Sequence, residues 1–213
     1  MYVRDIMTTN VVTIPSSTSI ADAKRIMEAH RFRRLPVVDK GKLVGIVTEH
    51  KLEEMSPSKA TSLSVWELSY LLDKTTVKEI MERNVVTVPP DMTAEESLAV
   101  AQSNKVGALV VVEDGRVVGI STTNDFFYKI VNPLLGLGEP GARIEVTGGG
   151  EGKALEEVIS IINKRGLKIT TLHILAPPEA TKRDIIVHVD SEDVAQLIAE
   201  LEGKGYSVKL RQR

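Results

Sequence analysis

The chain has 213 residues, of which 42% are hydrophobic and none is cysteine, and its 27 basic and 29 acidic side chains leave a net charge of −2. This length allows one large domain or two small ones with a sizeable core. Without cysteine there are no disulfides, zinc–thiolate sites or thiol nucleophiles, and the near-neutral charge argues against a general nucleic-acid binder.

The sequence contains no apolar run of about 18 residues, so we expect no membrane span. The N-terminus enters patterned sequence directly, without the basic start and apolar core of a signal peptide. The eight aromatic residues are too few to suggest a stacking platform for single-stranded nucleic acid. The simplest expectation is a soluble cytoplasmic protein that binds neither nucleic acid nor membrane.

A repeat with a constant offset of 74 positions organises the first part of the chain. The matching segments are 3–7 and 77–81, 10–15 and 84–89, 35–38 and 109–112, and 41–46 and 115–120. A fixed offset held over so many residues indicates two copies of one structural unit.

Each copy predicts the element order β-α-β-β-α. In the first copy a short helix at residues 3–7 precedes an extended segment, and Ser19 begins an amphipathic helix. Residues 35–38 and 43–47 predict two strands, and a second helix follows Thr48. A single unit of this size is only marginally stable. We therefore expect the two copies to share a core through their sheets, around an approximate two-fold axis.

The segment between the copies, residues 56–76, is predicted to be a linker that contains a helix. Ser64 and Glu67 form a Ser-x-x-Glu capping box at its start. We expect Trp66 to pack on the pair of repeats, as large aromatic side chains at helical spacing usually do, with a ligand site as the alternative.

A Gly/Pro-rich stretch after the second copy marks another boundary. The residues beyond it predict the order βαββαβ, which is typical of a ferredoxin-like fold. The predicted fold class is therefore mixed, α+β or α/β. The predicted divisions are 1–55 and 77–130 for the repeats, 56–76 and 131–141 for the linkers, and 142–213 for the last domain.

These segments carry a resemblance to known families. Residues 10–15, 34–39 and 45–48 resemble cystathionine-β-synthase (CBS) domains, and two in tandem resemble a Bateman module. Residues 152–155, Gly-Lys-Ala-Leu, begin the first helix of the last domain and are similar to ACT domains, small modules that often bind amino acids. Together with the linker, the whole chain resembles the AcuB family, which is associated by name with acetoin utilisation.

The resemblance implies an adenine-nucleotide site between the repeats, for a ligand of the AMP, ADP or ATP class. The family pattern Gly-apolar-x-Ser/Thr-x-x-Asp is complete in the second copy, where Asp125 would bind the ribose hydroxyls and Thr122 would lie near the ribose or phosphate. In the first copy Lys51 stands at the position of the aspartate, and an ammonium group cannot accept a hydrogen bond. We therefore expect one site per chain.

Arginines of the first copy complete the predicted site. The segment around Arg33 and Arg34 resembles the His-Arg-Leu-Pro element of the gamma subunit of AMP-activated protein kinase, which implies that both reach the phosphate of the nucleotide held by Asp125. The planar guanidinium group suits this role. The alternative is a solvated basic edge. The resemblance places the base contacts at Val86, Thr87, Pro89, Ala108 and Leu109.

The glycine run before the helix of the last domain offers backbone N–H groups to an anion. Gly150, Gly152 and Leu155 are its candidate ligand contacts, and a flexible loop is the alternative. The spacing is neither a dinucleotide fingerprint nor a P-loop. The four histidines lack metal-type spacing, so we expect no metal and no cofactor.

The function expected from these features is a non-catalytic regulatory sensor. An adenine nucleotide would bind the CBS pair, and an amino acid or other small metabolite would bind the ACT-like domain. The resemblance also implies a homodimer. The alternatives are a protein-interaction adaptor, or a regulatory subunit of an enzyme, with no nucleotide ligand. An enzyme is disfavoured because the sequence offers no catalytic constellation.

Overall fold

The computed structural model describes residues 1–55, 65–176, 178 and 181–211. The chain forms two compact units, Met1–Phe126 and Phe127–Arg213. Among the described residues, no helix combines the length and the apolar character that crossing a lipid bilayer requires.

The first unit contains two copies of one repeat, which confirms the predicted mixed fold. The predicted leading strand is β3 in the second copy and an isolated bridge at Ile14 in the first. The first copy consists of α1 (Val3–Ile6), α2 (Ile20–His30), β1 (Arg34–Asp39), β2 (Lys42–Thr48) and α3 (Glu49–Glu54). A connecting helix, α4 (Val65–Lys74), follows. The second copy consists of a 3₁₀ turn (Val77–Glu79), β3 (Thr87–Val88), α5 (Ala94–Ser103), β4 (Ala108–Glu113), β5 (Arg116–Thr122) and α6 (Thr123–Phe126).

Side-chain caps fix where the long helices of the repeats begin. The Ser19 hydroxyl accepts a hydrogen bond from the N–H of Asp22 at the start of α2, and Thr93 and Glu96 form a reciprocal capping box at the start of α5. The predicted cap at Ser64 lies outside the described residues, as do the contacts of the Trp66 side chain.

The sheets of the two copies have the same register. Strands β1 and β2 pair antiparallel with an irregularity between Val37 and Val38, and β4 and β5 pair with an irregularity between Val111 and Val112, 74 residues later. In the second copy β3 adds a parallel strand beside β4. The sheet geometry therefore repeats with the sequence.

The leading segment of the first copy packs into the core of the second. Val3 is fully buried and belongs to an apolar cluster with Val88, Leu109 and Val111. Its N–H donates to the carbonyl of Met92 at 2.9 Å.

In the same way, the leading segment of the second copy packs into the core of the first. Val77 is fully buried in a cluster with Ile20, Leu35 and other residues of the first copy. Its N–H donates to the carbonyl of Thr18 at 2.8 Å. The two copies are therefore interlocked: each contributes a short helical turn to the other's core, in addition to the predicted contact.

The second unit has the predicted βαββαβ order. It begins with a π-helical turn (Phe127–Val131) and α7 (Asn132–Leu134), followed by β6 (Ala142–Thr147), α8 (Gly152–Lys164), β7 (Ile169–Leu175), β8 (Asp184–Val189), α9 (Ala195–Gly203) and β9 (Ser207–Leu210). The antiparallel sheet has the order β7-β8-β6-β9, as in ferredoxin-like folds. Residues of β6, β8, α8 and α9 form its apolar core. Its assignment as an ACT domain stays a prediction.

The exchange predicts which repeat each leading residue stabilises. Val3→Ala should cost about 2 kcal/mol of unfolding free energy, because it removes two buried methyl groups, and should loosen the second copy more than the first. Val77→Ala, the matched variant, should have the opposite pattern. Hydrogen exchange of β1 and β2 against β4 and β5 measures the difference. Greater loss of protection in β1 and β2 on Val3→Ala would contradict the exchange.

Candidate functional site

A cleft with a volume of about 510 Å³ lies where the two copies meet. We refer to it as the first cleft. Its lining combines the extended and basic segments of the first copy with the end of β5 and start of α6 from the second. The lining residues are Thr8, Asn10, Val11, Val12, Arg31, Phe32, Arg33, Arg34, Pro36, Gly107, Ile120, Thr122, Thr123, Asn124 and Asp125. The volume is within the range of about 300–1,000 Å³ that is usual for small-molecule sites.

Asp125 is held at the junction between β5 and α6 by a capping box. Its Oδ2 accepts from the N–H of Thr122 at 2.8 Å and from the Thr122 hydroxyl at 2.7 Å. Its other oxygen accepts from the Thr8 hydroxyl at 3.4 Å. The carboxylate at the edge of the cleft is therefore fixed from two sides.

The predicted arginines lie in the same cleft. Arg34, the first residue of β1, is half-buried, and its pKa is lowered by burial and by the nearby charge of Arg33. Arg33 is largely exposed, and its Nε lies 3.7 Å from Glu49 Oε2, a surface pair of small energetic value. Among the described residues no carboxylate pairs with Arg34. The guanidinium group of Arg34 therefore lies in the cleft without an ion-pair partner among the described residues.

A second, smaller cleft of about 190 Å³ lies on the other side of this junction. Its lining residues are Arg34, Ile46, Thr48, Glu82, Asn84, Val85, Val86, Lys105, Val106, Gly107 and Ala108. With the offset of 74, nearly all of them correspond to residues of the first cleft. The two clefts are therefore copies of one design, with different side chains.

The difference at the aspartate position is visible in the structure. Lys51, the counterpart of Asp125, forms an ion pair with Glu54, with 2.6 Å between Nζ and Oε2. It does not line the second cleft. The second cleft thus has no ribose-binding carboxylate at this position.

The structure does not bring the predicted base contacts to the first cleft. Val86 and Ala108 line the second cleft, and Thr87 lines a separate groove. Leu109 is fully buried, and Pro89 is exposed and lines neither cleft.

The apolar wall of the first cleft comes instead from Val11 and Val12 beside Asn10. The physical reason is that each cleft combines the extended and basic segments of one copy with the β-α junction of the other. Because Arg33 and Arg34 belong to the first copy, the extended segment that lines the same cleft also comes from the first copy. A contact of Val11 and Val12 with a base stays a prediction.

The glycine run of the second unit is packed against β8. The N–H of Gly148 donates to Asp184 Oδ1 at 2.8 Å, and the N–H of Gly150 donates to the carbonyl of Arg183 at 2.9 Å. Leu155 packs against the core of this unit, whereas Gly152 is exposed at the start of α8. The N–H of Gly150 is therefore already used within the domain, which weakens the expectation that it binds an amino-acid carboxylate.

Comparison with known proteins identifies the repeats. The family model of the CBS domain matches residues 3–55 and 77–132. Inosine-5′-monophosphate dehydrogenase of Korarchaeum cryptofilum is 32% identical over 133 residues, which are 62% of this chain and 25% of that protein. L-aspartate semialdehyde sulfurtransferase of Methanocaldococcus jannaschii is 35% identical over 127 residues, 58% of this chain and 22% of that protein. The chain thus spans about a quarter of the length of these curated relatives.

Two solved structures are similar over the same region. The CBS domain pair of protein MJ0100, in complex with 5′-methylthioadenosine and S-adenosyl-L-methionine, has 30% identity and a TM-score of 0.51, and the match covers 62% of this chain and 97% of that one. A Vibrio cholerae protein that carries the name AcuB, for acetoin utilization, has 35% identity and a TM-score of 0.53, with 64% and 94% covered.

The close packing of the glycine run gives a prediction for the second unit. A Cβ on Gly150 would lie 2.9 Å from the Arg183 carbonyl oxygen and 3.0 Å from that of Asp184. Gly150→Ala should therefore destabilise this unit by about 1–3 kcal/mol through overpacking. The matched control is Gly203→Ala on α9, which has open space and should be neutral or slightly stabilising. Urea-dependent hydrogen exchange of β6 and β8 measures both, and equal effects would show that the loop accommodates a side chain.

Proposed function

Since the chain belongs to the CBS-domain family, with a CBS pair (Bateman module) over residues 3–55 and 77–132, we propose that this pair is a regulatory sensor that binds one phosphorylated adenine nucleotide in the first cleft. The observation that carries the proposal is the composition of that cleft. A fixed carboxylate from one copy and arginines from the other line a single cavity of about 510 Å³.

The nucleoside half of the proposed ligand is supported by the carboxylate and the apolar wall. Asp125 presents a negatively charged acceptor to ribose hydroxyls, a charge-assisted type of hydrogen bond that is stronger than a neutral one. Val11 and Val12 provide an apolar surface for a base. The protein MJ0100 binds two ligands that share an adenosine moiety, which supports the same class of ligand for this chain.

The phosphate half is supported by charge. Three arginines and one aspartate line the first cleft, so an anionic ligand is favoured over a neutral or cationic one. S-adenosyl-L-methionine carries a sulfonium cation, and 5′-methylthioadenosine carries no phosphate. We therefore propose AMP, ADP or ATP as the preferred ligand, rather than the ligands bound by MJ0100.

The wider role follows from the same proposal. The pair would act without catalysis, by favouring one conformation of the chain when the nucleotide is bound. The similarity to AcuB supports acetoin utilisation as the process that such a sensor serves. We further propose a homodimer, and a small metabolite such as an amino acid as a ligand of the second unit.

Removing the carboxylate should weaken nucleotide binding. Titration calorimetry with AMP, ADP and ATP should give one ligand per chain for the wild type, and Asp125→Ala should lose at least about tenfold in affinity, the effect of one charged hydrogen bond. Because Asp125 also caps α6, the melting temperature of the free variant must be compared with that of the wild type.

The matched control is Glu113→Ala, which removes an exposed carboxylate of the same repeat that does not line the first cleft. It should bind as the wild type does. Two equivalent nucleotides per chain, or unchanged affinity in a folded Asp125→Ala variant, would contradict the proposed site.

The arginines should act on the phosphate alone. Arg34→Gln should weaken AMP binding by roughly tenfold or more, the value of one hydrogen bond to a charged group, and leave adenosine binding unchanged. Calorimetric titrations of both ligands, with 5′-methylthioadenosine as a second phosphate-free ligand, measure the difference. Equal losses for AMP and adenosine would show that Arg34 supports the fold of the cleft and does not bind phosphate.

A further inference from the structure

The two clefts share one cation at their junction. Arg34 and Gly107 are the two residues that line both cavities. The terminal nitrogen of Arg34 lies 2.7 Å from the position that a Cβ on Gly107 would occupy. The guanidinium group therefore occupies space that a side chain at residue 107 would take, and such a side chain would displace the end of Arg34.

The repeat shows that this junction is asymmetric. With the offset of 74, Arg33 corresponds to Gly107 and Arg34 corresponds to Ala108. The second copy thus has no arginine of its own at these positions. A single guanidinium group is within reach of both clefts.

The second cleft matches a small anion better than a nucleotide. Its volume of about 190 Å³ is below the usual range of about 300–1,000 Å³ for larger ligands. Its lining contains two cationic residues, Arg34 and Lys105, and one carboxylate residue, Glu82. It also includes Thr48, which has a hydroxyl, and Asn84, which has an amide. These groups suit a phosphate-sized anion with several acceptor oxygens.

We propose that the second cleft binds inorganic phosphate, and that phosphate and the nucleotide of the first cleft compete for Arg34. This regulation rests on the proposed nucleotide function of the first cleft. A bound anion in one cleft draws the guanidinium toward itself and leaves the other cleft with one cation fewer. The coupling is reciprocal, as linkage requires, so the pair would sense nucleotide relative to phosphate.

Titration calorimetry of AMP in potassium phosphate and in potassium chloride of equal ionic strength tests the coupling. Saturating phosphate should raise the Kd of AMP by at least about fivefold, the lower end of usual allosteric couplings. Lys105→Gln, which alters only the second cleft, should abolish this rise and leave the Kd in chloride unchanged. Lys42→Gln, an exposed lysine that lines neither cleft, should keep the rise.

The outcomes separate this proposal from simple competition in the first cleft. If phosphate acted there alone, Lys105→Gln would keep the rise, and the proposal would be wrong. An AMP affinity that is independent of phosphate would also overturn it.

A measurement without nucleotide keeps the two proposals distinct. Phosphate should raise the melting temperature of both the wild type and Asp125→Ala, and the rise should disappear in Lys105→Gln and Arg34→Gln. If AMP does not bind the wild type but this pattern holds, the nucleotide function fails and the phosphate site stands. If phosphate stabilises Lys105→Gln as much as the wild type, or stabilises none of these proteins, the phosphate site is refuted.

Discussion

The exchange of leading segments between the two copies is the constraint on which the first unit depends. Val3 is buried in the core of the second copy and Val77 in the core of the first. A repeat of this size buries little apolar surface by itself, so neither core is complete without the other copy. The interlocked arrangement also fixes the junction at which both clefts form. Stability and the candidate site therefore have the same structural origin.

An approximate two-fold relation creates two clefts, and a few substitutions make them different. The backbone at the two junctions is alike: the N–H of Glu49 donates to the carbonyl of Arg33, and the N–H of Thr123 donates to that of Gly107. On this common frame one cleft has a carboxylate and arginines, whereas the other has neither at the corresponding positions. Duplication supplies a symmetric scaffold, and the chemistry is decided by side chains that break the symmetry.

The sequence predicts the elements well because their signals are local. Ser19 and Thr93 mark helix starts by hydrogen bonds that span three residues, and the alternating strands follow at the same offset in both copies. The exchange could not be predicted in this way. Valine occupies both position 3 and position 77, so the apolar pattern is satisfied whether each packs in its own copy or in the other.

The same ambiguity explains why the sequence predicts the charged residues of the site but not its apolar wall. Asp125 and the arginines differ between the copies, and their complementary asymmetry indicates that they combine. The apolar wall has the same Asn-Val-Val sequence in both copies, so the sequence does not tell residues 10–12 from 84–86. The packing of the glycine run was not predicted for another reason. The carbonyl of Arg183 that accepts from the N–H of Gly150 lies just before β8, far along the chain, and a local motif contains no information about it.

The role of Asp125 can be separated from the folding of its junction by comparison with the first copy. There Lys51 occupies the same position, the Thr48 hydroxyl still accepts from its N–H at 3.3 Å, and α3 forms. The chain can therefore turn from strand to helix without a carboxylate. In the second copy the aspartate adds bonds from Thr122 and Thr8 that fix its orientation at the wall of the first cleft. A carboxylate that is oriented before the ligand arrives loses little conformational entropy on binding, so these bonds would favour binding of the proposed nucleotide as well as the fold.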